Sequence, residues 1–278
     1  PVSVSSLIKG TTIQSANDAA ITLAEAIGNG SIDEFVKQMN EEAKRLGMKH
    51  THFNNPTGIS SNGHVSTVGD LAILAAALIN DYPKYYPLFA NKSFKYNNIE
   101  QPNRNLLLYR DSSIDGLKTG YSEGAGYHLA ASSKRNNRRI VSILAGAEST
   151  EARASESSKL LNWALQAFDT PKLYNGGEVI SQVKVYKGST KAVDIGFLDD
   201  VYITIPHDTG KNVKPILETL QPVLAPIEKG QVLGKLKVMK DGKIIAEKDV
   251  VALTGVEEGS WLRRMWDAIV LWFKGLFS

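Results

Sequence analysis

The chain has 278 residues, a length that favours two modest domains. Its net charge of +3 is too small to indicate nucleic acid as the main partner. The balance of 42% hydrophobic and 22% charged residues excludes wholesale disorder. The absence of cysteine excludes disulfides, thiolate metal sites and a cysteine nucleophile. No apolar run reaches the ~18 residues of a membrane-spanning helix. The chain opens on Pro1 without a basic-then-apolar leader, which we interpret as a processed or truncated N-terminus.

The first part of the chain shows the spacing of a mixed α/β domain. A short helix is predicted over 18–27. Ser31 and Glu34 form the capping-box pattern of a second helix, in which the serine accepts a hydrogen bond from the first turn. Thr67 and Asp70 repeat that pattern before an apolar run. Both pairs therefore predict helix starts.

Two strand-like runs and a long helix follow in the same domain. Strands are predicted over His128–Ser133 and Arg139–Ala145, with a hairpin turn at Asn136-Asn137. The segment Glu151–Phe168 is predicted to be a helix. Its apolar side is predicted to contain Leu160, Leu161, Ala164 and Phe168.

A change of pattern after Thr170-Pro171 indicates a second domain. Short β runs separated by turn residues occupy 179–256, and Asp241-Gly242 between two alternating runs predicts a two-residue hairpin. This pattern is typical of a small all-β domain of sandwich type. The sequence therefore predicts a first domain over 1–170, an all-β domain over 171–257 and a tail over 258–278.

The tail is predicted to form an amphipathic helix that lies on a membrane. On a helix over Trp261–Phe277, Arg263, Arg264, Asp267 and Lys274 share one arc of about 100°, and apolar and aromatic side chains occupy the rest. The helix is too short and too charged to span a bilayer of ~30 Å. We expect it to bind an anionic membrane surface with its cations toward the lipid. Packing on the protein's own core or on a partner is the alternative.

Two polar triplets could carry chemistry. Ser15-Ala16-Asn17 stands at the start of a helix, where these residue types are favoured, so helix capping is its simpler interpretation. Lys118-Thr119-Gly120 precedes the run that begins at His128, and a turn is its simpler interpretation. Its ammonium and hydroxyl groups could nevertheless hold a carboxylate, and free amides of an edge strand could pair with a peptide.

Other polar residues carry weaker signals. Arg104 and Arg153 are candidate anion ligands, although each alone suits a surface position or an ion pair. His50, His52 and His64 could be considered as metal ligands, but no carboxylate stands at recognisable ligand spacing beside them. We therefore predict a loop there, and expect neither a metal nor a cofactor.

The triplets, their order and their flanking segments resemble a known family. The segments are VSSLIKGTTIQSANDAA, MKHTHFNNPTGI, DGLKTGYSEGAGYHLAAS, RASESSKLLNWAL and DVYITIP. They resemble the penicillin-recognising serine acyl-transferases, specifically the low-molecular-mass D-alanyl-D-alanine carboxypeptidases of the penicillin-binding protein 5/6 type, over essentially the whole chain. The resemblance implies an α+β fold: an incomplete penicillin-binding/β-lactamase-like α/β domain, a small all-β sandwich domain and a C-terminal amphipathic helix.

The resemblance also implies an activity and a location. Such enzymes remove the terminal D-alanine of peptidoglycan stem peptides through an acyl-enzyme, are inhibited by β-lactams, and line one cleft with S-x-x-K, S-x-N and K-T-G motifs. Here Ser15 would relay a proton and Asn17 would bind a substrate amide. The backbone N–H of Tyr121 would line the oxyanion hole. The family implies the periplasmic face of the bacterial inner membrane. The substrate-binding residues that it implies are Lys118, Thr119, Gly120, Tyr121, Arg104 and Arg153.

One motif departs from the family pattern. In the family, S-x-x-K lies well upstream of S-x-N, whereas here Ser6-Leu7-Ile8-Lys9 fits its letters only nine residues before Ser15. We interpret this match as a coincidence and expect the nucleophile and its lysine to be absent. The chain is then a C-terminal fragment, or a gene product begun too late, and is inactive alone.

Two other functions are compatible with these motifs. A non-catalytic protein that binds cell-wall peptides could keep the cleft without a nucleophile. A β-lactamase-like hydrolase is disfavoured, because class A enzymes need a glutamate between S-x-N and K-T-G. The matching stretch, Thr51–Asn54, contains no acid.

Overall fold

The computed structural model describes residues 1–136, 138–207 and 213–275. The chain divides into two compact units, Pro1–Leu165 and Gln166–Ser278. The first mixes helices with a sheet, and the second combines strands with one helix at its C-terminal end. The predicted α+β class is therefore confirmed.

The helices of the first unit begin at the predicted caps. The Ser31 hydroxyl accepts a hydrogen bond from the backbone N–H of Glu34 at 3.2 Å, and Thr67 accepts one from Asp70 at 3.1 Å. These bonds satisfy N–H groups that a first helical turn leaves without partners. The helical segments are α1 (Val4–Lys9), a π-helical turn (Gly10–Gln14), α2 (Asn17–Ile27), α3 (Ile32–Leu46), α4 (Val68–Asp81), a 3₁₀ turn (Tyr86–Ala90), α5 (Leu107–Arg110) and α6 (Thr150–Ala167).

The main sheet of the first unit has three antiparallel strands in the order β3-β4-β5. Both predicted strands lie inside β4 and β5. Asn136 adopts the left-handed conformation of a tight turn, with φ 48°, and Asn137 lies outside the described residues. The strands of this unit are β1 (Ser93–Tyr96), β2 (Ile99–Pro102), β3 (Ile114–Ser122), β4 (Gly126–Arg135) and β5 (Arg138–Ala147), with β1 and β2 forming a separate hairpin.

Helices pack on both faces of this sheet. On one face, Leu161 of α6 packs with Leu129 of β4, and on the other Ala75 of α4 packs with Leu117 of β3. The predicted apolar side of α6 was partly wrong, since Leu160 is exposed. The helix instead buries small and polar side chains that an apolar pattern does not mark. Its buried residues are Arg153, Ala154, Ser157 and Leu161, and Phe168 belongs to β6 rather than to the helix.

The second unit is built on a six-stranded sheet in the order β12-β14-β15-β9-β8-β13. Asp241 and Gly242 both have positive φ, 47° and 76°, which confirms the predicted two-residue hairpin between β14 and β15. The strands are β6 (Phe168–Asp169), β7 (Lys172–Tyr174), β8 (Val179–Tyr186), β9 (Ala192–Gly196), β10 (Val201–Tyr202), β11 (Ile205–Pro206), β12 (Val213–Thr219), β13 (Val223–Leu224), β14 (Val232–Lys240) and β15 (Lys243–Ala252).

One apolar core stabilises this second unit. Side chains from the large sheet and from the two short ribbons, β10-β7 and β11-β6, are buried together. Ile195 and Val250, on β9 and β15, are fully buried at its centre. The predicted all-β character of this domain is confirmed.

A single helix, α7 (Trp261–Gly275), ends the described chain. The predicted helix extended to Phe277, and residues 276–278 lie outside the described residues. Within the part of the chain that the structure describes, no helix has both the length and the apolar character needed to cross a bilayer.

Candidate active site

Ser15 occupies a special backbone position between α1 and α2. The π-helical turn Gly10–Gln14 ends on Ser15, which adopts a left-handed conformation with φ 59° and ψ 39°. Ser15 does not cap α2, whose N-cap is Ala16 and has no side-chain cap. The Ser15 hydroxyl instead accepts a hydrogen bond from the Lys118 ammonium. The capping interpretation of the Ser15-Ala16-Asn17 triplet is therefore wrong.

The second triplet lies in the middle of β3 and not in a turn. Lys118 pairs with Ala130 and Thr119 with Leu129 in the antiparallel ladder with β4. The turn interpretation fails because β4 supplies the partners that continue the strand. Since β3 is the edge strand of its sheet, its outer N–H and C=O groups can receive an extended peptide.

The Lys118 ammonium is held in a partly desolvated, positively charged environment. Its Nζ atom also donates to the Thr119 carbonyl at 2.7 Å. Burial, together with the smaller effect of repulsion from Arg104 and Arg153, lowers the pKa of Lys118 to about 8. The ammonium that donates to Ser15 therefore loses its proton more readily than that of an exposed lysine.

Arg153 lies behind β3 and connects two main-chain segments. Its guanidinium donates to the Arg104 carbonyl at 3.0 Å and to the Gly120 carbonyl at 3.4 Å. It also lies 5.6 Å from the centroid of the Tyr127 ring. Only 4% of the residue is exposed, and this burial lowers the pKa of the guanidinium. The structure therefore brings Arg153 to the site, with its hydrogen bonds directed at the backbone.

Arg104 reaches the site from the segment that follows β2. The side chain is exposed, and its guanidinium donates to the Gln14 side chain at 3.5 Å. Gln14 in turn donates to the Pro102 carbonyl at 2.7 Å. Buried Asn103 and Asn105 flank Arg104 and fix its backbone. Gln14 was not predicted from the sequence. Its place next to Ser15 is the one signal that could have indicated it.

The remaining predicted residues line the same region. Thr119 is buried and Asn17 is exposed at the first position of α2. Tyr121 follows the triplet and is 57% exposed, and its ring lies tilted against that of Tyr127 with the centroids 4.4 Å apart. His128 accepts a hydrogen bond from the N–H of Gly146, and its pKa is lowered by burial and by the Arg153 charge.

The S-x-x-K letters lie apart from this cluster. Ser6 and Lys9 belong to α1, and the Ser6 hydroxyl accepts a hydrogen bond from the Ser3 hydroxyl at 2.9 Å. Among the described residues, no hydrogen bond joins Ser6 or Lys9 to Ser15 or Lys118.

The histidines belong to loop structure. His52 forms a backbone bridge with Val65, and the His64 ring accepts a hydrogen bond from the N–H of Asn54 at 3.0 Å. Over the described ranges, no group of three or more potential ligands could hold a metal ion.

Two family models and several relatives match this sequence. The profile of the D-alanyl-D-alanine carboxypeptidase family matches residues 1–149, and that of the penicillin-binding protein 5 C-terminal domain matches residues 168–258. The chain is 40% identical to D-alanyl-D-alanine carboxypeptidase DacA of Haemophilus influenzae over 280 residues, which include all of this chain and 71% of that relative.

Two solved structures extend the comparison. Penicillin-binding protein 5 from Haemophilus influenzae superposes with a TM-score of 0.83 at 38% identity, covering 92% of this chain and 75% of that one. Penicillin-binding protein D2 from Listeria monocytogenes, solved in its cefotaxime-bound form, superposes with a TM-score of 0.54 at 33% identity, over 58% of this chain and 66% of that one. Profiles and relatives agree along the length of the sequence, and the chain belongs to the D-alanyl-D-alanine carboxypeptidase family of the penicillin-binding type.

Proposed function

We propose that this chain supplies the proton-transfer and carboxylate-binding groups of a serine-type D-Ala-D-Ala carboxypeptidase. The enzyme removes the terminal D-alanine of peptidoglycan stem peptides through an acyl-enzyme and is inhibited by β-lactams. The observation that carries the proposal is the hydrogen bond between the Lys118 ammonium and the Ser15 hydroxyl, two groups that are 103 residues apart in the sequence.

Ser15 and Lys118 suit the transfer of a proton. A hydroxyl both accepts and donates a hydrogen bond, so Ser15 can pass a proton from the attacking group toward the leaving amine. Lys118 has a pKa of about 8 and can support this relay without remaining permanently charged. Exposed Asn17, two residues beyond Ser15, is positioned to bind an amide of the substrate.

The cations of the site suit the terminal carboxylate. Lys118 and exposed Arg104 create a positive field, and Thr119 adds a hydroxyl on the same strand. The stem peptide extends along the open edge of β3, where the N–H of Tyr121 stabilises the developing oxyanion. The bound cefotaxime in the Listeria monocytogenes relative supports β-lactams as ligands of the same cleft.

The attacking serine is assigned to the family's S-x-x-K motif. Ser6 is not proposed for that role, because its hydroxyl is bonded to Ser3 and is not joined to the Lys118 cluster. The groups described here then bind substrate and move protons, and the acyl bond forms elsewhere in the cleft.

Labelling with a fluorescent penicillin tests this assignment. It is applied to the 278-residue chain and to the longest natural protein whose sequence includes this chain, called the longest product below. We expect the longest product to be labelled on an S-x-x-K serine, and Lys118→Ala to slow labelling by about 10²–10³-fold. Ser6→Ala is the matched control and should leave the rate unchanged. Label on Ser6, or an unchanged rate after Lys118→Ala, would overturn the proposal. Reversible peptide binding without any label would favour the non-catalytic alternative.

A second part of the proposal concerns location. We infer that the protein acts at the periplasmic face of the inner membrane and touches the bilayer through α7. The three tryptophans of this helix are all well exposed, at 64%, 66% and 64% for Trp261, Trp266 and Trp272. Exposed tryptophans on a short amphipathic helix are typical of interfacial binding. Deletion of residues 261–278 should abolish cosedimentation with vesicles and preserve penicillin labelling of the longest product. Vesicle binding that survives the deletion would exclude this role.

A further inference from the structure

The charged side of α7 is turned toward its own β domain. Asp267 accepts a hydrogen bond from the backbone N–H of Lys187 at 2.6 Å. Arg263 donates to the carbonyl of Ser189 at 3.0 Å. Both partners belong to the turn at residues 186–189, called here the docking turn. The helix thus satisfies main-chain groups that the turn after β8 leaves available.

The other two charged residues are also engaged. Lys274 donates to the Tyr186 hydroxyl at 3.0 Å, and its ammonium lies 5.7 Å from the centre of that ring. Lys274 and Lys184 lower the pKa of Tyr186, as expected for cations beside a phenol. Arg264 pairs with Glu258 in the segment just before the helix. Every cation of the described part of α7 therefore already has a partner in this domain.

Burial around α7 follows the same division. Arg263, Asp267, Val270 and Leu271 are partly buried. The opposite side, called here the aromatic arc, is exposed throughout, at 42% to 66% for each residue. The aromatic arc consists of Trp261, Leu262, Met265, Trp266, Ile269, Trp272 and Phe273.

This arrangement is the reverse of that in a helix that packs on a water-soluble core. Such a helix buries its apolar stripe and exposes its charges. It also corrects the expectation that the cations face anionic lipid, because Arg263 and Lys274 face the docking turn. The charged side chains face the docking turn because its main-chain groups form hydrogen bonds with them. The sequence of the helix alone does not reveal this contact.

We propose that α7 is docked on the β domain by its charged side and presents the aromatic arc as a fixed surface for a phospholipid bilayer. This inference rests on the membrane contact proposed above and specifies its geometry. A bilayer is favoured over a protein partner because the arc carries no charge that could fix the register of a partner. Its three tryptophans, at 261, 266 and 272, suit the headgroup region.

The docked arrangement predicts weak salt dependence. Three free cations near an anionic surface would change binding by roughly 10²-fold between low and high salt. Since Arg263 and Lys274 are held on the side of the helix opposite the aromatic arc and Arg264 is paired with Glu258, we expect the partition of the full 278-residue chain into vesicles of phosphatidylcholine with phosphatidylglycerol to fall by less than about threefold between ~0.05 and ~0.5 M NaCl. A fall of more than about tenfold would overturn the proposal.

Two adjacent variants separate docking from lipid contact. Asp267→Ala removes the acceptor of the Lys187 N–H, so amide hydrogen exchange at Lys187 should become at least about tenfold faster without vesicles present. Trp266→Ala changes the opposite side of the helix and should leave that exchange rate unchanged. It should nevertheless lower vesicle partition by about tenfold or more.

The outcomes distinguish docking of α7 from its contact with the membrane. Unchanged exchange at Lys187 in the Asp267→Ala variant would exclude docking, whatever the vesicles show. A wild-type chain that binds no vesicle would refute the membrane contact and leave the exchange result to decide docking. A dimer in sedimentation equilibrium that Trp266→Ala dissociates, with no vesicle binding, would show that the arc is covered by a second copy and would overturn the bilayer as its occupant.

Discussion

Replacing Lys118 by methionine should change how the stability of this protein depends on pH. An exposed lysine titrates near 10.5, whereas burial lowers the pKa of Lys118 to about 8 in the folded state. This difference corresponds to at most about 3 kcal/mol of unfolding free energy. Below pH 8 both states carry the proton, so the cost of burying the ammonium is fully present. Between pH 8 and 10.5 the unfolded state binds more protons, so the wild type gains stability relative to Lys118→Met as the pH rises.

The assay is urea unfolding of both forms, followed by circular dichroism at several pH values. The difference between the two unfolding free energies should move in favour of the wild type by about 1 kcal/mol at pH 9 and by about 2–3 kcal/mol at pH 10, relative to pH 7. Lys134→Met is the matched control, because Lys134 is exposed on β4 and water solvates its ammonium. A difference that stays flat from pH 7 to 10 would refute the desolvated environment described for Lys118.

Substitutions at three positions, Lys118, Arg153 and Gly116, separate catalytic from structural contributions. In the longest natural product, Lys118→Ala should slow penicillin labelling more than Arg153→Met, whereas Arg153→Met should lower the melting temperature by several degrees. It removes the hydrogen bonds to the main-chain carbonyls of Arg104 and Gly120, worth about 1–3 kcal/mol each, from a side chain that is itself buried. Equal melting temperatures for both variants would contradict this. Gly116→Ala should destabilise by about 1–3 kcal/mol in urea unfolding, because its Cβ would lie 2.6 Å from the Tyr86 hydroxyl oxygen. Gly124→Ala, which meets nothing within 4 Å, is its control.

Features that depend on a few neighbouring residues were predictable from the sequence. Ser31 and Thr67 cap their helices as expected, since the donor lies three residues along the same chain. Asp241-Gly242 forms its hairpin because both residues tolerate positive φ. The composition change after residue 170 likewise indicates a second, all-β domain, whose strands carry their own alternation.

Features that depend on distant partners were not predictable in the same way. Ser15 is a residue type that is favoured at helix N-caps, so the sequence around it predicts a cap. Its place in the site depends on its left-handed backbone and on the hydrogen bond from Lys118, which lies far away in the sequence. Leu160 has apolar neighbours at helical spacing, yet the sheet packs on the side of α6 that contains Ser157. The orientation of α7 depends on the docking turn, which no property of the helix reveals.

The two acceptors of the Arg153 guanidinium are main-chain carbonyls, which every amino acid supplies. Substitution at position 104 or 120 therefore leaves both hydrogen bonds available, whereas a change at 153 removes them together. An alanine Cβ at Gly120 would lie 3.5 Å from the His128 ring, an ordinary van der Waals contact. Tolerance of this contact to mutation should accordingly be unequal: the side chain at 153 is required for it, whereas the side chains at 104 and 120 are constrained only by the roles proposed for them in substrate binding.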